Sequence, residues 1–217
     1  MLSKVETIDH ILDSALEIFS RFGFDGASLR EIAAGAGVPL SAIDMYFGSK
    51  AQLYSAVEQH AWAAIRNERK AMLLAASAAG TVDLRSIIYA LAYPIVRRSV
   101  AGTPLERRGV VLVREGVRNW TPTRPEDRRD TADRGRATWI HAIGKACPAL
   151  SWNDSVWAYA FVMSAIYSWQ LTEHFYDHLL NDGGATTVDE VIQDLVEFCC
   201  GGVQALVKRR SEAGGVG

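Results

Sequence analysis

Cationic and hydroxyl side chains that could contact a negatively charged partner occur close together between residues 28 and 50. Arg30 and Lys50 supply positive charge, and Ser28 and Ser49 supply hydroxyl groups at two expected helix starts. Phosphate oxygens accept hydrogen bonds from such side chains, and backbone N–H groups at a helix N-terminus bind anions. These residue types therefore indicate contact with phosphate, provided that the fold holds them on one surface.

Two short helices joined by a glycine turn are predicted to form that surface. Ser28 and Glu31 make a Ser-x-x-Glu capping box, which begins the first helix. Gly37 is the expected left-handed residue after it, and a second helix runs from Leu40 to about Phe47. A helix pair with such a turn is a common way to present a helix to DNA.

The second helix of this pair has two different sides, because successive residues are rotated by about 100°. One side is predicted to be buried and carries Leu40, Ile43 and Phe47. The opposite side carries Ser41, Ala42 and Met45. We expect this second side to face the DNA bases, because side chains without bulky branches suit a helix that lies deep in the major groove.

Residues 11–54 carry a longer pattern of fixed residues at fixed spacings. The matching residues are Ala15, Leu16, Phe19, Gly23, Phe24, Ser28, Ile32, Ala33, Ala36, Gly37, Val38, Phe47, Ser49, Lys50 and Leu53. In these positions the segment resembles the helix-turn-helix domain of the TetR family of bacterial transcriptional regulators. The resemblance implies a homodimer whose N-terminal domain binds double-stranded operator DNA. It also implies a C-terminal domain that dimerises and usually binds a small effector.

The resemblance implies phosphate contacts for Tyr46 and Lys50, which stand where the family's phosphate-binding residues usually stand. The predicted DNA-binding residues are therefore Ser28, Arg30, Ser41, Ala42, Met45, Tyr46 and Lys50.

Asp44 departs from the family pattern, in which Tyr, or Asn in some subgroups, usually occupies this position. Phosphate would repel its carboxylate. Because Asp44 is expected about 70° from the centre of the buried side, we favour a hydrogen bond to Arg30 or to a backbone N–H. The alternative is that the carboxylate accepts a hydrogen bond from cytosine N4 in the major groove.

The composition agrees with a helical protein that has a substantial core, since 49% of the 217 residues are hydrophobic. No apolar run reaches membrane-spanning length, and the first nine residues are too polar and too few for a signal peptide. Three cysteines, two of them adjacent, favour a reducing cytoplasm over a disulfide framework.

Helical periodicity over most of the chain predicts an all-α fold. We expect a helix-turn-helix DNA-binding domain over residues 1–50, with a fourth helix linking onward to about residue 76. A C-terminal helical bundle for effector binding and dimerisation is expected over residues 77–217. Two long C-terminal helices, Trp152–Leu180 and Val188–Arg210, are predicted to form the dimer interface, with Gly201 and Gly202 at a close approach of the partner.

Large aromatic residues are concentrated in the second half of the chain. Helical bundles with many Trp and Tyr residues often surround a ligand cavity, because these side chains bury a polar group together with a ring. The residues expected to contact an effector of unknown identity are Arg114, Trp139, His141, Trp157, Tyr167 and Gln170.

No arrangement of residues indicates an enzyme. His174 and His178 have a spacing that can chelate a metal ion, but no third ligand is indicated, so a solvated helix end is favoured. No Ser/His/Asp order, phosphate loop or dinucleotide fingerprint occurs. We therefore expect no catalytic residues, no metal and no cofactor.

The charge distribution leaves a second function open. Residues 1–70 contain seven Lys or Arg and nine Asp or Glu, although phosphate neutralisation supplies most non-specific DNA affinity. The favoured function is a ligand-responsive repressor that binds a palindromic operator as a dimer. The alternative is an all-α small-molecule-binding or interaction protein with weakened DNA affinity.

Overall fold

The computed structural model describes residues 3–118, 129–172 and 187–214. These residues form nine α-helices and no strand, which confirms the predicted all-α fold. The helices are α1 (Lys4–Gly26), α2 (Leu29–Ala36), α3 (Leu40–Phe47), α4 (Lys50–Ala78), α5 (Leu84–Ala101), α6 (Pro104–Arg118), α7 (Arg129–Ala146), α8 (Trp152–Thr172) and α9 (Val188–Gly214). Within the described residues, no helix is long and apolar enough to cross a membrane.

Side chains at the helix starts explain some of these bounds. At the start of α1, the Glu6 N–H donates to the Ser3 hydroxyl at 3.2 Å, and the Ser3 N–H donates to the Glu6 carboxylate at 2.7 Å. The capping box predicted for Ser28 and Glu31 is wrong, because the Ser28 hydroxyl makes no capping hydrogen bond to α2. The helix begins there nonetheless, with the Ile32 N–H donating to the Ser28 carbonyl at 3.0 Å.

Two glycines place the turns of the N-terminal helices. Gly37 has a φ of 69°, in the left-handed region that other residues rarely adopt, and it ends α2 as predicted. Gly23 has a φ of 68° and interrupts α1. Helix α1 continues beyond this kink to Gly26.

The first of two compact units comprises the described parts of Met1–Asn67 and Ala101–Trp120. Its largest fully buried side chains are Ile11, Phe19, Ile32, Ile43, Leu53 and Ile65. Helix α6 packs against α1 and contributes Leu112 to the same core. From the sequence we expected this helix in the C-terminal domain, and a domain boundary near residue 76 stays a prediction.

The second unit comprises the described parts of Glu68–Val100 and Thr121–Gly217. Helix α8 packs against both α7 and α9. Helix α5 is buried along most of its length and continues through Pro94. An ion pair between Glu68 and Arg98 joins α4 to α5 within this unit.

Candidate nucleic-acid interface and effector residues

The exposed side of α3 is rotated from the predicted one. Ile43 is fully buried and Ala42 is only 8% exposed, whereas Leu40 is 39% and Met45 69% exposed. The predictions that Ala42 faces outward and that Leu40 is buried are therefore wrong, while Ser41 and Met45 do face outward. The small Ala42 side chain lets α3 pack closely on the core, and Leu40 begins the helix at the edge of that contact.

Asp44 lies on this exposed side of α3. Within the part of the chain that the structure describes, its carboxylate forms no hydrogen bond or ion pair, and Arg30 is exposed without contacting it. The favoured interpretation of Asp44 as an internal partner of Arg30 or of a backbone N–H is therefore wrong. The carboxylate is available to a partner outside the chain.

Lys50 begins α4 and contacts the end of α1. Its ammonium group lies 3.3 Å from the carbonyl oxygen of Asp25 and 5.0 Å from the centre of the Phe24 ring. The Phe24 ring in turn meets Tyr54 edge-on at 5.4 Å. These contacts use one of the three donors of the ammonium group, so Lys50 stabilises the domain and still has donors for phosphate.

Ser28 and Arg30 lie at the start of α2, and Tyr46 lies on α3 itself. Arg30 is exposed on the first turn of α2, and Ser28 is half-buried at its N-terminus. Tyr46 is half-buried against the core of the first unit. The groups available to DNA phosphates are therefore Arg30, Lys50, the Ser28 hydroxyl and the N–H groups at the start of α2.

Two of the predicted effector residues lie inside the second unit. Gln170 is 2% exposed, and burial raises the pKa of Tyr167 above its ordinary value. These two residues are one turn apart on α8 and share a face. Trp139 is half-buried on α7. The side chain of Arg114 lies outside the described residues, as do His174 and His178.

His141 and Trp157 are at the surface. The exposed His141 ring lies 4.8 Å from the ring of Trp152, and its Nδ1 atom lies 2.8 Å from the Ala137 carbonyl oxygen. Trp157 is 61% exposed and stacks on Phe161 with 5.8 Å between ring centres. The structure does not bring these two residues together with Tyr167 and Gln170.

Sequence reasoning missed Arg69, which is only 5% exposed in the second unit. Its Nε donates to the Leu91 carbonyl at 2.8 Å, and a hydrogen bond joins it to Tyr167. A signal existed, because Arg69 continues the row of buried residues four apart on α4 formed by Leu53, Val57, Ala61 and Ile65. An arginine at the next position of such a row is expected to be buried.

The fold and this surface define a helix-turn-helix DNA-binding protein with a helical second unit. The family described as "Bacterial regulatory proteins, tetR family" matches residues 11–57. The family described as "Tetracyclin repressor-like, C-terminal domain" matches residues 89–202. The chain belongs to the TetR family of bacterial transcriptional regulators.

Individual relatives resemble the chain either in the sequence of a short segment or in the fold of most of its length. The chain is 48% identical over 52 residues to the HTH-type transcriptional regulator AcrR of Shigella flexneri, which is 24% of each protein. It is 51% identical over 47 residues to the regulator RutR of Escherichia coli strain K12, which is 22% of each. The chain thus spans about a quarter of the length of these curated relatives. A TetR-like regulator from Rhodococcus sp. RHA1 shares the fold, with a TM-score of 0.58 and 18% identity over 94% of this chain and 99% of that one.

Proposed function

We propose that this protein is a ligand-responsive repressor that binds a palindromic operator as a homodimer. The observation that carries the proposal is that α3 has one buried and one exposed side. Ala42 and Ile43 fix the helix to the core, while Ser41, Asp44 and Met45 face solvent. An eight-residue helix held in this way by a glycine turn matches the element that helix-turn-helix proteins place in the major groove.

Phosphate contacts would orient α3 in the groove. Arg30 and Lys50 are the cations between residues 28 and 50, and the start of α2 offers N–H groups to an adjacent phosphate. Each group is present twice in a dimer, and the two half-sites would lie about 34–36 Å apart. Doubling the contacts compensates for the low positive charge of the domain.

Base recognition would involve Asp44. A carboxylate only accepts hydrogen bonds, and the exposed donors in the major groove are the amino groups of cytosine and adenine. Cytosine N4 is the usual partner of an acidic side chain. This supports a C·G pair at one position of each half-site.

Dimerisation would use the outer faces of α8 and α9. On α8, Trp157 and Phe161 are 61% and 57% exposed and stack on each other. On α9, Phe198 is 74% exposed, and the exposed Gly201 and Gly202 follow one turn later. Large exposed aromatic groups beside small residues are typical of a surface that a partner covers.

Effector binding in the second unit would weaken operator binding by favouring a conformation with lower DNA affinity. Tyr167 and Gln170 support this location, because both place polar groups in the interior of the unit. In this proposal Trp157 belongs to the dimer surface instead of the effector site.

Fluorescence anisotropy with duplexes that tile the DNA upstream of the protein's own gene tests the proposal. We expect one duplex to bind at least about a thousandfold more tightly than scrambled DNA. The logarithm of its association constant should fall linearly with the logarithm of the salt concentration. A scrambled duplex of equal length is the control.

The alternative is a ligand-binding protein with weak DNA affinity. The contacts of the Lys50 ammonium with Asp25 and Phe24, together with the exposed Asp44 carboxylate, favour it. Equal and weak binding to every duplex, combined with tight binding of a small molecule, would select this alternative.

A further inference from the structure

The interior of the second unit contains a positively charged group without a counter-ion among the described residues. Arg69 is 5% exposed, its Nε is satisfied by the Leu91 carbonyl, and its Nη2 has no hydrogen-bond partner in the part of the chain that the structure describes. Glu68 is next in sequence but pairs with Arg98, and with Arg97 at 3.6 Å. A buried guanidinium stays charged, and an uncompensated charge in this environment is costly.

The groups around Arg69 add donors and positive charge. The hydroxyl of Tyr167 is joined to Arg69 by a hydrogen bond, and Arg136 lies close enough to act electrostatically on both Tyr159 and Tyr167. Burial raises the pKa of both tyrosines, so at neutral pH their hydroxyls keep the proton that they can donate. The arrangement has the donors and the charge that an anion requires.

Apolar side chains lie next to these donors along α8. Four buried apolar residues of this helix lie close in sequence to Tyr159 and Tyr167: Ala158, Val162, Met163 and Ile166. A ligand whose charged group reaches Arg69 would therefore place the rest of its body against apolar side chains. A guanidinium presents two parallel N–H groups, which match the two oxygens of a carboxylate.

We propose that the effector is an amphiphilic organic carboxylate whose head group binds Arg69 and Tyr167 inside the second unit. The role of this ligand as effector rests on the proposed function, whereas the binding site itself does not depend on DNA binding. The ligand supplies the counter-ion that Arg69 lacks among the described residues. Nη2 donates to the carboxylate, and the Tyr167 hydroxyl, which is hydrogen-bonded to Arg69, lies beside the head group.

Titration calorimetry and thermal shift on the full-length protein test the site with paired probes. Decanoate is compared with decanol and benzoate with benzyl alcohol, with inorganic phosphate as a further anion. We expect at least one carboxylate to bind ten- to a hundredfold more tightly than its alcohol, which is the range of charge-assisted hydrogen bonds. Carboxylate and alcohol of equal affinity, no response to any probe, or a stronger response to phosphate would each overturn the proposal.

Two variants locate the effect. Arg69→Met should abolish the preference for carboxylate while the unliganded protein keeps or gains thermal stability, because an uncompensated charge is removed. Tyr167→Phe should fold normally and weaken carboxylate binding three- to tenfold, so that the site remains testable if Arg69→Met does not fold. Arg85→Met removes an exposed arginine of the same unit and should leave the preference unchanged. A preference that survives both Arg69→Met and Tyr167→Phe would contradict the site.

Operator binding measured with the same probes separates this site from the proposed function. A carboxylate that binds through Arg69 without releasing DNA supports the site and contradicts the ligand-responsive repressor. Release of DNA by a neutral compound, equally in wild type and Arg69→Met, supports the repressor and overturns the carboxylate site.

Discussion

In the proposed function, the carboxylate of Asp44 would determine which base α3 recognises. Because Asp44 is exposed and its carboxylate is unpaired within the described residues, any DNA that receives α3 must place a donor opposite it. We predict that Asp44→Asn shifts the preferred base pair at one position of each half-site from C·G to A·T, since Asn pairs with adenine N6 and N7. The expected discrimination at that position is about 1–3 kcal/mol.

Selection of bound duplexes from a pool in which the half-site sequence is randomised, followed by sequencing, measures this shift. Ser41→Ala, on the same exposed side, is the matched control and should retain the C·G preference. Identical selected sequences for wild type and Asp44→Asn would show that Asp44 does not contact a base.

Lys50 is predicted to contribute both to DNA affinity and to domain stability. Lys50→Ala should weaken binding to all duplexes and reduce the slope of log K against log salt by about 0.9 per subunit, the effect of one lost phosphate contact. The loss of the contacts with the Asp25 carbonyl and the Phe24 ring should also lower the melting temperature slightly.

Lys70→Ala provides the comparison for Lys50, because Lys70 is exposed and lies outside the helix-turn-helix segment. It should change neither the salt slope nor the melting temperature. A lower melting temperature with an unchanged salt slope in Lys50→Ala would make Lys50 purely a stabilising residue.

At the scale of the helices, α9 offers a clean test of dimerisation. A side chain added at Gly202 would meet no atom within 4 Å outside its own helix, and replacement of a helical glycine removes a cost of about 1 kcal/mol. Gly202→Leu should therefore leave the protomer folded but obstruct a partner at this face. We expect monomers by light scattering and a loss of operator binding.

Gly135→Leu is the matched control for Gly202→Leu. Gly135 is exposed on α7 and has equally open surroundings, but it is outside the proposed interface. It should remain dimeric. An intact dimer for Gly202→Leu would place the interface on another surface.

Cys199 of the same helix should be chemically inert in the folded protein. Burial raises its pKa to about 11, with the neighbouring Cys200 adding to the effect. The reactive thiolate is therefore scarce at pH 8 and forms only as pH approaches 11. We expect Ellman's reagent to modify Cys199 at the rate of unfolding, and rapid modification of this residue in the native protein would contradict its burial.

At the scale of the whole molecule, the proposed ligand-responsive repressor requires that effector and operator affect each other reciprocally. If the effector lowers operator affinity by a given factor, saturating operator DNA must lower effector affinity by the same factor. Titration calorimetry of the most tightly binding probe, with and without operator duplex, measures this. Scrambled DNA is the control, and equal effector affinity with and without operator would exclude coupling between the sites.

The sequence by itself determined the helix-turn-helix and the all-α fold, because both depend on local features. The capping residues Ser3 and Glu6 act within one turn. The left-handed Gly37 ends α2 through its own backbone, and helical spacing selects a buried side. Together with fixed residues between positions 11 and 54, these local rules were sufficient to identify the family.

Only the tertiary structure decided which side chains are exposed. The short helix α3 presents Asp44 and Leu40 instead of Ala42, because the small Ala42 packs into the core of the first unit and so sets the rotation of the helix. The spacing on α4 indicates that Arg69 is buried, but its bond to Leu91 depends on a residue 22 positions away. Rotation about a helix axis and the neutralisation of a buried charge are set by contacts between distant segments, which local spacing does not specify.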